Sequence, residues 1–457
     1  MAQDAPAPPS AELELPFFLS GNFAPVQHEI DVERPEVVGH IPEALDGLFL
    51  RNGPNPKAKQ PGHWFLGDGM LHGVALGGGE ARFYKNRYLR TRALEGASMF
   101  GDDGVLDRSV SLANTHVVGH AGRIYALVEV SFPTLVDREM NTLGSFDFDG
   151  KLKTAMTAHP RICPETGELL FFGYDFMEPY LTFHRADAKG QLLPSEVVEV
   201  GGPVMMHDFA ITRRHAIFLD LPILFDLELA LQGGGLPYRW HDDYPARLRV
   251  VPRESAPGKL AAQTRTFEVE PGFIFHVMGA FEQEDSIVLT AVRYPELWRG
   301  SSNDMGSHPG HLHRYELDLQ SGQVRESELD DRRIEFPRID PRREGLPHRH
   351  GYALELSDEE TALGSRIVKY DLEAQGARVH DFGRGQAGEP VFVPDPNDAS
   401  EDAGWLMTFV YQPDEARSEF VILDARELEG EAVARIALPQ RVPFGFHGSW
   451  IPSHEQP

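Results

Sequence analysis

Short runs of alternating apolar and polar residues recur along the chain. Examples are RIYALVEV (123–130), ELLFFGYD (168–175), AIFLDLPI (216–223), SIVLTAVRY (286–294), HGYALEL (350–356), GWLMTFVY (404–411) and FVILDAREL (420–428). Many follow a turn signal such as HAG, ETG, ED, RHG or DAG. Alternation bounded by turn residues predicts half-buried antiparallel strands. Helical periodicity is scarce, and the best helix candidates are Phe132 to Met140 and Ile223 to Leu231. Strand pairs recur near residues 125, 171, 217, 289, 353 and 408. Repeats of that spacing fit propeller blades of about four strands each. No Pro/Ser-rich linker interrupts residues 16–457, so they are expected to form one domain behind a flexible tail over residues 1–15.

Composition narrows the function. The hydrophobic fraction of 41% and charged fraction of 25% suit a globular protein. With 70 acidic and 43 basic residues the net charge is -27, which repels nucleic acid and anionic lipid. The single cysteine, Cys163, excludes an internal disulfide framework and fits a reducing, cytoplasmic setting. The start, MAQDAPAPPSAELELP, has neither the basic opening nor the apolar core of a signal peptide. No apolar run reaches the roughly 20 residues that span a bilayer.

Four histidines stand alone in apolar surroundings: His159 in TAMTAHPRI, His207 in PVMMHDFAI, His276 in PGFIFHVMGA and His447 in PFGFHGSW. Burying an unpartnered imidazole is costly. Taken singly, each reads as a core histidine bonded to a backbone carbonyl. The recurrence of the context favours a shared partner, a metal held by four neutral imidazoles where propeller blades converge. Imidazole suits Zn, Cu, Fe and Ni. Such a site keeps the metal's full charge, so buried acids should support it. Glu129 in ALVEVSFP, Glu335 in IEFPRID and Glu389 in GEPVFVPDP are the candidates, and each alone reads equally as a strand-end carboxylate. The His-rich stretches SHPGHLHRY (307–315) and PHRHGY (347–352) have polar neighbours and read as turns and strand ends. The Gly-rich GDGM (67–70) is followed by no P-loop Lys-Ser/Thr, which argues against phosphate binding. No nucleophile elbow is present.

The chain resembles the carotenoid cleavage oxygenase family. The resemblance runs from NFAPVQHEI to GFHGSWIP. It is carried by GHIPEALDGLFLRNGPNP, WFLGDGMLHGV, NTHVVGHAGRIYALVE, TAHPRICPETGELLFFGYD, MMHDFAIT, FHVMGAFE, EFPRID, EPVFVPDP and GFHGSW, in that order. It implies an all-β, seven-bladed propeller with a cap of loops and short helices over one face. It implies one Fe(II) per chain, held by His159, His207, His276 and His447, with Glu129, Glu335 and Glu389 behind them. Thr115 matches a position beside an open coordination site. The implied reaction is cleavage of a carotenoid or apocarotenoid double bond by O2, giving two carbonyl products. Phe65, Val128 and Phe132 are candidate contacts of the apolar polyene. Stilbene-cleaving relatives usually carry Lys where this chain has Val128, which favours the polyene over a stilbene or phenylpropanoid. A propeller that binds carotenoid without cleaving it is the remaining reading. The segment from Pro222 to Gly235 matches a region that is often an apolar membrane patch in relatives. Asp226 and Glu228 weaken that reading to a possible peripheral contact, with a buried cap helix as the alternative. The oligomeric state stays open.

Overall fold

The computed structural model describes residues 15–57, 61–101, 104–304, 308–359 and 362–453. Of the tail expected over residues 1–15, only the last residue lies within the described residues.

Seven antiparallel sheets of four to six strands make up a seven-bladed propeller, joined by a two-stranded hairpin outside the ring. Five blades are simple four-strand meanders. They begin with the strands His116–His120, Arg161–Ile162, Phe209–Ile211, Phe273–Gln283 and Ile334–Arg338. The other two blades are closed by strands from distant parts of the chain. The final strand, Gly448–Pro452, pairs with Gly47–Pro54 and supplies one edge of the first blade. The strand Val37–Gly39 pairs with Ala434–Ala437 at the edge of the last blade. Both chain ends therefore lock the ring, which leaves no free seam between first and last blades.

The six strand pairs expected near residues 125 to 408 all form. The seventh blade is the first in sequence. Its strands Gly47–Pro54 and Gly69–Gly77 are buried at every position, so they lack the period-two signal of a half-buried strand. The helix expected from Phe132 to Met140 does not form. Thr134–Val136 is a strand, and Met140 turns the chain at a φ of 67°. The Asp137 carboxylate accepts the Asn141 N–H at 2.8 Å and closes this turn. The second helix candidate is partly correct. Ile223–Phe225 is a strand of the extra hairpin, and Leu227–Gln232 is a helix capped by Asp226. That helix buries none of its residues, so it is not the buried cap helix considered above. Among the described residues, no helix is long and apolar enough to cross a membrane.

One buried side chain ties the closure to the axis. Asn52 Nδ2 donates to the carbonyls of Ala113 at 2.6 Å and His116 at 3.0 Å. Its backbone N–H donates to the His447 carbonyl at 2.9 Å. The His447 N–H in turn donates to the Thr115 carbonyl at 3.1 Å. Asn52→Leu should strand two buried carbonyls and cost about 2 to 4 kcal/mol. A lowered urea midpoint with unchanged m-value is the expected reading. A midpoint equal to that of the unmodified chain would show that this bridge carries no stability.

Candidate metal centre

The axis is where the innermost segments of the blades meet. Each brings a polar residue: Thr115, His159, His207, His276, Glu335, Glu389 and His447. Local chemistry orients the histidines. The His159 N–H donates to Thr157 Oγ1 at 3.1 Å, and Pro160 follows, ending one backbone direction before the strand begins. His276 sits within Phe273–Gln283, where the pairing register slips between Ile274 and Val277 and again between Val277 and Gly279. Such a bulge re-aims side chains relative to a regular strand.

The four imidazoles are buried and form a group able to hold a metal, the only such group among the described residues. Nε2 of His207 lies 2.9 Å from Nε2 of His159 and 3.1 Å from Nε2 of His276. Nε2 of His276 lies 3.2 Å from Nε2 of His447. Three of the four rings have a carboxylate at Nδ1. His207 meets Glu129 and His276 meets Glu335 in short contacts, and His447 meets Glu389 at 2.8 Å. A carboxylate there fixes the proton on Nδ1, leaving a lone pair on Nε2. Three lone pairs then face one another across about 3 Å, which is repulsive without a cation between them. Two nitrogens about 2.1 Å from a metal, in adjacent octahedral positions, would be about 3.0 Å apart. The donor set and spacing therefore fit a divalent transition metal.

The electrostatics distinguish the rings. Burial and neighbouring imidazoles push the His159 pKa well down, and burial takes His447 down to about 3, so both are neutral. Burial also opposes charge on His276, but the Glu335 carboxylate beside it outweighs burial and raises its pKa. Burial raises the carboxyl pKa of Glu335 and Glu389. The partner histidines, with the Arg338 guanidinium in the case of Glu389, outweigh it and hold both below the usual range. Each carboxylate has a further donor. Tyr174 donates to Glu129 at 2.6 Å, Tyr294 to Glu335 at 2.7 Å and Arg338 Nε to Glu389 at 2.9 Å. A dication plus Arg338 would balance the three glutamates.

On one side of the cluster lies a cavity of about 720 Å³, lined by Phe65, Thr115, Val128, Glu129 and three of the histidines, with Trp64, Phe275, Phe336 and Phe446 among the aromatics. Phe275 packs edge-on to His207 at 4.6 Å between centroids. Phe65 packs edge-on to Phe446 at 5.2 Å. Thr115 Oγ1 donates to Asn114 Oδ1 at 3.0 Å. Phe132 is placed elsewhere: it packs on a cluster containing Tyr125, Phe148 and Phe171 and does not line the cavity. The dense-His stretches stay apart from the axis. His311 and His313 face Glu328 and Glu326 across a hairpin, and His348 Nδ1 meets the Leu346 carbonyl at 3.1 Å.

Sequence reasoning missed Asp208. Its buried carboxylate receives Arg161 Nη2 on both oxygens at 2.7 Å, and the N–H groups of Phe209 at 2.7 Å and Val277 at 2.8 Å. Arg161 lies two residues past His159, Asp208 follows His207 and Val277 follows His276. One carboxylate thus joins three histidine-bearing segments. An acid directly after the apolar PVMMH run was the available signal. Asp208→Ala should cost about 3 to 5 kcal/mol, because it leaves Arg161 buried without its main partner. Metal content after dialysis should fall with it. Retained stability and metal would remove Asp208 from the site's framework.

The family model described as retinal pigment epithelial membrane protein matches residues 23–452. A carotenoid cleavage oxygenase of Mycobacterium tuberculosis is 35% identical, with 97% of this chain and 99% of that protein covered. A structure of a Synechocystis apocarotenoid oxygenase variant superposes with a TM-score of 0.83 at 29% identity, covering 94% of this chain and 97% of that one. The lignostilbene dioxygenase of Pseudomonas brassicacearum superposes with a TM-score of 0.85 at 28% identity, covering 98% of this chain and 100% of that one. These matches run through the ring, both closing strands and all four axial histidines. The chain belongs to the carotenoid cleavage oxygenase family.

Proposed function

We propose that the chain is a non-haem Fe(II) dioxygenase. It cleaves one C=C bond of a carotenoid or apocarotenoid with O2, giving two carbonyl products, with residues 16–457 acting as one oxygenase unit. The observation that carries this reading is a group of four metal-competent imidazoles, three of which line a large aromatic-walled cavity. His159, His207, His276 and His447 would hold the iron. Bound Fe(II) supplies the redox chemistry by which O2 reacts with an alkene. The protein residues do the rest. Glu129, Glu335 and Glu389 hold the Nδ1 protons and fix the ring planes of three ligands. Phe65, Phe275, Phe336 and Phe446 exclude water and hold a polyene against the cluster. Thr115 stands at the cavity wall beside the ligands. The carbon and oxygen atoms balance without a protein nucleophile.

Val128 supports the polyene reading. A phenol buried against its isopropyl group loses hydration without gaining a charged donor, at a cost of about 1 to 3 kcal/mol. The stilbene reading has one supporting observation, the hydroxyl-bearing side chains Tyr174 and Tyr238 in the same cavity. Burial pushes both phenols up, so they stay neutral, and Tyr174 already donates to Glu129.

Purified active protein should carry about one iron per chain, and a chelator should abolish turnover. His276→Ala should remove most activity, while Glu335→Gln should cost about 10- to 100-fold in metal affinity or activity. Activity that survives iron removal would overturn the assignment. In a comparison of kcat/KM, a carotenoid or apocarotenoid should exceed a 4-hydroxystilbene. Val128→Lys should reduce polyene cleavage by placing an ammonium in the apolar cavity. Faster turnover of the stilbene by the unmodified chain would instead establish the stilbene reading.

A further inference from the structure

Arg333 is a charged side chain in the wall of the otherwise largely apolar cavity, and the function proposed above gives it no role. The Leu356 N–H donates to the Arg333 carbonyl at 2.8 Å, so the antiparallel pairing that joins Ile334 to Glu355 and Glu335 to Leu354 extends through Arg333. In a strand, residues two apart share a face and lie about 6.6 Å from each other. Arg333 is therefore the next side chain along the face from which Glu335 reaches His276. Both line the same cavity. Arg333 Nη1 donates to Asp358 at 2.5 Å, and the Asp358 side chain is 90% exposed, so this partner holds the guanidinium from the solvent side. Arg333 Nε is buried and has no hydrogen-bond partner among the described residues. A guanidinium carries five N–H donors and this side chain is 29% exposed, so its terminal N–H groups, and not the enclosed Nε, are the ones a ligand oxygen in the cavity can meet.

We propose that Arg333 is a specificity residue that receives a neutral oxygen-bearing end group, an aldehyde or hydroxyl, of the substrate. This rests on the polyene-cleavage reading and narrows its substrate class to apocarotenoids or hydroxylated carotenoids. A hydrocarbon end cannot accept a hydrogen bond from the guanidinium. A carboxylate end is disfavoured because Asp304, Asp358 and Glu359 also line this cavity. The polar end lies on the arm of the substrate that runs from the histidine cluster past Glu335, and the opposite arm meets the aromatic wall.

The test uses the iron-loaded full chain and three polyenes of one chain length: an aldehyde, the corresponding alcohol and the hydrocarbon. Anaerobic titration followed by polyene absorbance gives Kd, and aerobic product analysis gives kcat/KM. The aldehyde and alcohol should exceed the hydrocarbon by about 10- to 100-fold in kcat/KM, mainly through KM and Kd, as expected for a bond from a charged donor. Arg333→Met should collapse that ratio to below about threefold, and Arg333→Lys should restore part of it. Equal values for the three polyenes in the unmodified chain would overturn the proposal. So would a loss in Arg333→Met that is the same for all three. If no polyene is cleaved, the polyene reading fails, while the anaerobic Kd ratio still decides the role of Arg333. That ratio is compared between the unmodified chain, Arg333→Met and Arg333→Lys, and retained iron content in each variant shows that it has folded.

Discussion

Four imidazole nitrogens converge on one point, and they converge as lone pairs. Glu129, Glu335 and Glu389 accept hydrogen bonds from Nδ1 of three rings, which directs their Nε2 lone pairs inward. Imidazole nitrogens that face one another as lone pairs at 2.9 to 3.2 Å repel. Only a cation turns the repulsion into attraction. The surrounding charges are arranged for such a cation. The three carboxylates are buried or nearly so, which would be unfavourable beside an empty, uncharged ring. With a dication and Arg338 the local charge comes to zero.

The two sides of this cluster differ in chemistry. One side opens on the large aromatic cavity with Val128 and Phe65 in its wall. The other side is a small polar chamber of about 80 Å³, bordered by Arg161, Asp208, Arg338, Glu344 and Glu389. Charges held by one another there can stay dry without placing an unpaired ion in the cavity. Burial raises the Glu344 pKa, against the pull of Arg161. The part of the framework carried by Asp208, Arg338 and Glu389 is thereby kept apart from the large cavity, whereas Glu129 and Glu335 border it. A change to the cavity wall can alter selectivity while the Asp208 and Glu389 networks continue to hold the rings.

Much of this was legible in the sequence, for a definite reason. The six strand pairs from residue 125 onward could be read as short apolar runs bounded by turn signals, even where a strand such as Leu169–Tyr174 is buried at every position. The first blade could not, because its strands Gly47–Pro54 and Gly69–Gly77 carry Gly, Asn and Pro residues that read as turns, and one of its five strands comes from residue 448 onward. The four histidines stood out because their apolar neighbours were incompatible with a surface role. The three glutamates were readable with them, as the acids that such a site requires. Asp208, Arg338, Tyr174 and Tyr294 were not singled out. Nothing local distinguishes a tyrosine that will donate to a buried carboxylate from one that merely fills a core. Phe132 shows the converse: it adjoins the VE segment in sequence, but a turn carries it into a neighbouring apolar cluster.

Ring closure and ligand assembly are two descriptions of one event. His447 immediately precedes the closing strand Gly448–Pro452, and its backbone is bonded to Asn52 on one side and Thr115 on the other. Until that strand pairs with Gly47–Pro54, the group holds three histidines instead of four. A metal that binds the closed ring and not the open chain stabilises closure by the full difference in its affinity for the two states. The reverse follows for a metal held at this group: loosening the Asn52 bridge would weaken its affinity, because part of the binding free energy would then be spent on closing the ring. The distance in sequence between His159 and His447, which makes the site hard to see in the chain, is what couples its chemistry to the completeness of the fold.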